Sequence, residues 1–127
     1  GFLFAEGAVA STVAHDSHNI IAAGYDDGLI LKAVDLLRAS GGGMAAVTYD
    51  KKCVFPLQIC GLMSACAAEQ VIRQESELDE FLLALGFTKD AFSSLSFLAL
   101  PVIPELKLTD LGLVDVNSFQ VVPLEIM

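Results

Sequence analysis

The sequence predicts an α+β, or mixed α/β, domain built in two layers, a mainly antiparallel sheet with helices packed on one face. Three observations carry this. Short apolar runs of strand length recur in the first half, two stretches have helical periodicity, and their order along the chain reads β-β-α-β-β-α-β-β. At 127 residues the chain has the size of one domain with one core, spanning 1–127.

Taken in order, Ala8 to Ala14 is small and β-branched, and Asn19 to Gly24 is a second short apolar run. They read as two strands joined through His15-Asp16-Ser17-His18, a hairpin or a tightly bent pair. Asp26 or Asp27 can then cap a helix whose Leu29, Ile30, Ala33, Val34, Leu36 and Leu37 recur at helical spacing. Gly41-Gly42-Gly43 stops it. Met44 to Tyr49 reads as a strand, Asp50-Lys51-Lys52 as a turn and Cys53 to Ile59 as the return, which Pro56 places at an edge or bulge. Ser64 to Leu85 is the strongest helical stretch, with Val71, Ile72, Leu78, Phe81, Leu82 and Leu85 in one stripe, and Ser76-x-x-Asp79 resembles a capping box that would divide it in two. Ser94 to Leu100 reads as a strand, and Pro101 and Pro104 make Val102 to Lys107 extended and irregular. Thr109 to Gly112 is turn-like, and Phe119 to Leu124 reads as a last strand that Pro123 pushes to an edge.

Composition excludes several functions. Seven Lys and Arg against 16 Asp and Glu give a formal charge of −9, and the basic residues are scattered, so no stripe tracks nucleic-acid phosphates. The longest charge-free run, Cys53 to Ala68, is 16 residues and polar in places, short of the ~20 apolar residues that cross a bilayer. Cys53, Cys60 and Cys66 form neither a CxxC pair nor a disulfide framework and read as reduced thiols. The N-terminus lacks a basic region and meets Glu6, so it does not read as a secretory signal, and the cytoplasm is the expected compartment. It also opens on Gly1 without an initiator Met, as a domain cut from a longer chain would. Yet 54% of residues are hydrophobic, mean hydropathy is +0.63, and only 18% are charged where about 25% is usual. Part of that apolar surface is expected to be covered by another copy or by the rest of a longer polypeptide.

The chemistry-bearing segment is His15-Asp16-Ser17-His18-Asn19, which places both histidines of the chain, a carboxylate, a hydroxyl and an amide in five consecutive residues. That inventory suits general acid–base work, metal binding or hydrogen bonding to a purine edge, and it equally suits a structural turn. In an extended strand, positions 15 and 18 point to opposite faces, so only a sharp turn would converge them. Asp26-Asp27 is explained by helix capping. The three glycines precede a strand, the reverse of a phosphate loop. Gly61-Leu62-Met63-Ser64 runs into a helix start, where the Ser64 hydroxyl either caps the helix or faces a ligand.

Several segments resemble, in order, the C-terminal region of microbial adenine deaminases. They are Val13-Ala-His-Asp-Ser-His-Asn-Ile20, Gly41-Gly-Gly43, the junction from Pro56-Leu57 to Gly61-Leu-Met-Ser64, the fifteen residues from Ser96 to Asp110, and Gly112-Leu-Val-Asp-Val116. The resemblance covers most of the chain from Gly7 to Val116. It implies a cytosolic enzyme of purine salvage that hydrolyses adenine to hypoxanthine and ammonia. Such an enzyme uses Mn or Fe held by an upstream amidohydrolase barrel whose His-x-His ligand pair does not occur in this sequence. No metal ligand is therefore assigned here. His15, Asp16 and His18 are the expected auxiliary catalytic residues, orienting adenine or shuttling a proton, with Asp16 fixing an imidazole tautomer. Ser17, Asn19 and Ser64 are the candidates for substrate binding. The expected partners are the barrel and adenine, with neither nucleic acid nor membrane, in a homo-oligomer, and the isolated fragment is expected to be inactive and to self-associate. Two other readings stand beside this one, a non-catalytic docking or oligomerisation module with a structural turn at His15 to His18, and a small independent purine-binding protein.

Overall fold

The strands of the first half are short and built of small residues. Ala8-Val9-Ala10 and Ala45-Ala46-Val47 carry no polar residue on either side of the pleat, and such runs need cover on both faces. In a computed structural model, which describes residues 6–88 and 90–125, they receive it. The N-terminal segment read as no secretory signal lies, through residue 5, outside the described residues. β1 (Ala8–Ser11), β2 (Ile21–Gly24), β3 (Gly43–Val47) and β4 (Lys52–Pro56) form one antiparallel sheet in the order β2-β1-β3-β4. α1 (Asp27–Ser40) crosses from β2 to β3. Its Leu29, Ala33 and Leu37 pack on Ala8, Ala10, Ala45 and Val47.

The opposite pleat carries Val9, Ala46 and Phe55, which pack on Leu78 and Leu82 of α2 (Ala68–Ala84) and on Ala91, Phe92 and Leu95 of α3 (Ala91–Phe97). α2 covers the β3–β4 half of that face and α3 the β1–β2 half. The α+β class and the antiparallel sheet hold. Packing of helices on one face only does not: they lie on both, because the strands are apolar on both.

α1 is closed as its sequence requires. The Asp26 carboxylate accepts the Leu29 N–H at 2.9 Å, and Gly41 takes the left-handed conformation (φ 79°) that ends the helix. Gly24 lets α1 sit down on the sheet, since a Cβ there would stand 2.6 Å from Ile30 Cγ1 and 2.7 Å from Ala8 Cβ. α2 starts at Ala68 rather than at Ser64 and runs unbroken through Gln74 to Ser76, so the capping-box break does not occur. Of its expected stripe, Ile72 faces solvent. The segment from Ser94 to Leu100 is not a strand. Ala91, Phe92, Leu95 and Ser96 are buried at helical spacing and form α3.

β5 (Leu106–Thr109), β6 (Gly112–Asp115) and β7 (Gln120–Val122) make a separate antiparallel sheet with β7, the strand expected near Pro123, at its edge. The β5–β6 turn is closed by Thr109, whose hydroxyl donates to Gly112 O at 2.9 Å and accepts the Leu111 N–H at 3.2 Å. The Leu108 N–H bonds Leu98 O at 3.0 Å and ties this sheet to the chain that follows α3.

Candidate functional site: the His15–Asn19 bend and its cleft

β1 lies at the centre of the larger sheet, and the bend grows from its end. Thr12 fixes the exit. Its hydroxyl donates to Gly61 O at 2.6 Å and accepts the Gly43 N–H at 2.8 Å, pinning the strand end to two neighbouring loops. The Ser11 hydroxyl, on a buried side chain, accepts the Val13 N–H at 3.0 Å. Ala14 is buried, and its carbonyl accepts the His18 N–H at 2.7 Å, closing a tight turn over residues 14–18. His18 takes a left-handed φ of 53°, where histidine is one of the few side chains found with any frequency.

This turn brings the two imidazoles together, as only a sharp turn can. Their ring centroids are 5.9 Å apart and tilted by 55°. The His15 ring also stacks on Phe97 at 5.8 Å and 21°, and the His15 N–H donates to the Ser96 hydroxyl at 3.4 Å. Ser96 is buried on α3, so the bend is anchored by the far end of the chain. Asp16 Oδ1 lies 3.9 Å from His15 Nδ1, with the carboxylate 85% and the imidazole 48% exposed.

A cleft of about 500 Å³ opens beside the bend, within the range of about 300–1,000 Å³ usual for small ligands. Asp16, Ser17 and Asn19 line one side, and Thr109, Asp110 and Leu111 of the β5–β6 turn are also in its wall. Much of the remainder is apolar, supplied by Ile20, Val102 and Leu108 among others. The bend is thus divided: the acid, hydroxyl and amide line the cleft, while His15 packs on His18 and Phe97. Ser64 is in neither group; its hydroxyl accepts the Cys66 N–H at 3.1 Å, and the helix it was expected to cap begins after Ala67.

A metal needs several converging donors. Among the described residues no three His, Cys, Asp or Glu side chains come close enough to hold one. The displaced pKa values belong to groups outside the cleft. The Tyr49 hydroxyl, and then the Leu29 N–H, hold the Asp26 carboxyl below its ordinary range, and the same contact raises Tyr49. Burial, reinforced by Glu77, raises the Cys53 thiol.

Ser96, Phe97, Thr109 and Asp110 are the site residues that pattern reading missed. The signal available for them was their place in the long segment from Ser96 to Asp110. A small α+β domain with a polar bend set against a cleft defines an architecture, and comparison supplies the family. The adenine deaminase C-terminal domain model matches residues 1–120, and the chain belongs to that family. It is 50% identical to an adenine deaminase of Bacillus velezensis over 128 residues, covering 98% of this chain and 22% of the relative. It is 47% identical to one of Archaeoglobus fulgidus (98% and 23%) and 55% identical to one of Desulfatibacillum aliphaticivorans (98% and 22%). The chain thus spans less than a quarter of the length of these relatives. Among the described residues, no helix is long and apolar enough to cross a membrane.

Proposed function

We propose that these 127 residues work as a single C-terminal domain of a cytoplasmic adenine deaminase of purine salvage, which hydrolyses adenine to hypoxanthine and ammonia. The domain supplies one wall of the substrate site and does not turn over alone. The observation that carries this reading is the concentration of Asp16, Ser17 and Asn19 on one cleft wall with His15 directly behind Asp16.

The Asn19 amide has a donor and an acceptor on one group, which matches the alternating edge of a purine. Ser17 adds a hydroxyl that can serve as either. The apolar remainder of the cleft suits the faces of a flat heterocycle and excludes water from them. His15 is restrained by Phe97 and Ser96, and in this proposal its ring takes up a proton and passes it through Asp16 toward the cleft. His18 packs on the same ring and limits its orientation. Mn or Fe, with the water it activates, belongs in this proposal to the upstream barrel, and the enzyme assembles as a homo-oligomer.

The test is adenine-to-hypoxanthine turnover by the full-length enzyme carrying His15→Ala, Asp16→Ala or His18→Ala. Loss of general acid–base help is expected to lower kcat/KM by about 10²–10⁴-fold at His15 and Asp16. Unchanged kcat/KM in all three would leave the bend as a structural turn. Turnover by the 127-residue chain itself would place the whole reaction here instead.

A further inference from the structure

We infer that one face of the β5–β7 sheet, carrying Leu106, Leu108, Leu113 and Val122, is the docking surface for the polypeptide that precedes this domain in the full-length protein. The register sets the face. Leu108 pairs with Leu113, Leu113 pairs with Val122, and Leu106 lies two residues from Leu108 on the same side of the pleat. Leu106 is 53% and Leu108 52% exposed.

A three-stranded sheet gains independent stability from an apolar face only if something covers it. The four-stranded sheet has helices on both of its faces, but the β5–β7 strands pack chiefly on one another. The face is continuous with the cleft through Leu108, so whatever covers it also reaches the bend.

Two observations select the occupant. The chain matches 22% of the length of its relatives, and the family is a C-terminal domain, so the large remainder of such a polypeptide lies ahead of it. A second copy of this domain is the poorer candidate, because each copy brings a net charge of −9 and Asp115 stands on the same face opposite Leu106. The inference rests on reading this chain as part of a longer enzyme and needs no chemical role for His15 or Asp16.

Amide hydrogen exchange tests it in the full-length protein and in the 127-residue chain, each at high dilution. Residues 106–122 are expected to exchange at least roughly tenfold more slowly in the full-length protein, with β1 and β3 alike in both. In the full-length protein, Leu106→Ser with Leu108→Ser should restore the fast exchange, while Val121→Ser on the opposite face should not. The amides of β1 and β3 report in the same experiment whether the double variant is folded, and the unsubstituted comparison stands without it. Equal exchange of residues 106–122 in the two unsubstituted proteins overturns the inference. Protection that disappears when the full-length protein is diluted to a monomer also overturns it, by giving the face to a second copy. Because the readout is exchange and not turnover, it separates this surface from the proposed role of the bend.

Discussion

Removing one hydroxyl at Thr12 tests how the bend is held at the sheet. In Thr12→Val the shape of the side chain is kept, while the bonds to Gly61 O (2.6 Å) and from the Gly43 N–H (2.8 Å) both go. Water cannot take their place. A Cβ added at Gly42 would lie 2.5 Å from Gly61 Cα, and one added at Gly61 would lie 2.9 Å from Thr12 Oγ1, so the backbones are already in contact around the hydroxyl. Gly43 and Gly61 are buried. Two hydrogen bonds are worth about 0.5–1.5 kcal/mol net each, and a buried N–H left without its acceptor costs about 1–3 kcal/mol, so a destabilisation of about 2–6 kcal/mol is expected. For a chain of this size that is a fall in Tm of roughly 7–22 °C. Urea denaturation of the parent, Thr12→Val and Thr12→Ser measures it, with the serine variant, which keeps the hydroxyl, within about 1.5 kcal/mol of the parent. A valine variant within about 0.5 kcal/mol of the parent would show that the hydroxyl is not what joins these three segments.

Two further outcomes follow from the α1 contacts. Gly24→Ala places a methyl against Ile30 and Ala8, and the overpacking should destabilise the chain by about 1–3 kcal/mol in the same denaturation assay. The Asp26–Tyr49 pair should leave a mark at both ends of the pH range. Because the folded Asp26 carboxyl titrates below its unfolded value, its contribution is complete above about pH 4 and is lost as pH falls through the lowered folded pKa. Because Tyr49 titrates above its unfolded value, its contribution is complete below about pH 10 and is lost as pH rises through the raised one. In Tyr49→Phe, NMR titration should find the Asp26 carboxyl moved up toward the ordinary range. An unmoved Asp26 would show that its backbone contacts alone set the value.

Features whose causes are local in sequence were legible. Asp26 before an apolar helical stripe and Gly41 after it mark α1 at both ends, and Pro56 marks β4 as an edge. The number of layers was not, because it depends on counting apolar residues on each side of a strand, and runs as short as Ala8-Val9-Ala10 give no alternation to count. α3 reads as a strand in sequence because seven mostly apolar residues fit either period and no side chain caps its start. At the site the bend itself could be read, since its residues are consecutive. Its anchors could not: Ser96 lies 81 residues from His15, and no local pattern announces that pairing. Ser64 precedes a helix that begins only at Ala68, four residues later than the sequence pattern suggests.

The two faces of the central sheet are also covered at different times. During synthesis the sheet and α1 are complete once Pro56 has been made, but Val9, Ala46 and Phe55 wait for α2 and for α3, which ends at Phe97. At ~5–20 residues per second those roughly forty residues take on the order of 2–8 s. A sheet formed at that stage would show one apolar side to its neighbours, closed over its β3–β4 half when α2 is made and over its β1–β2 half only when α3 follows.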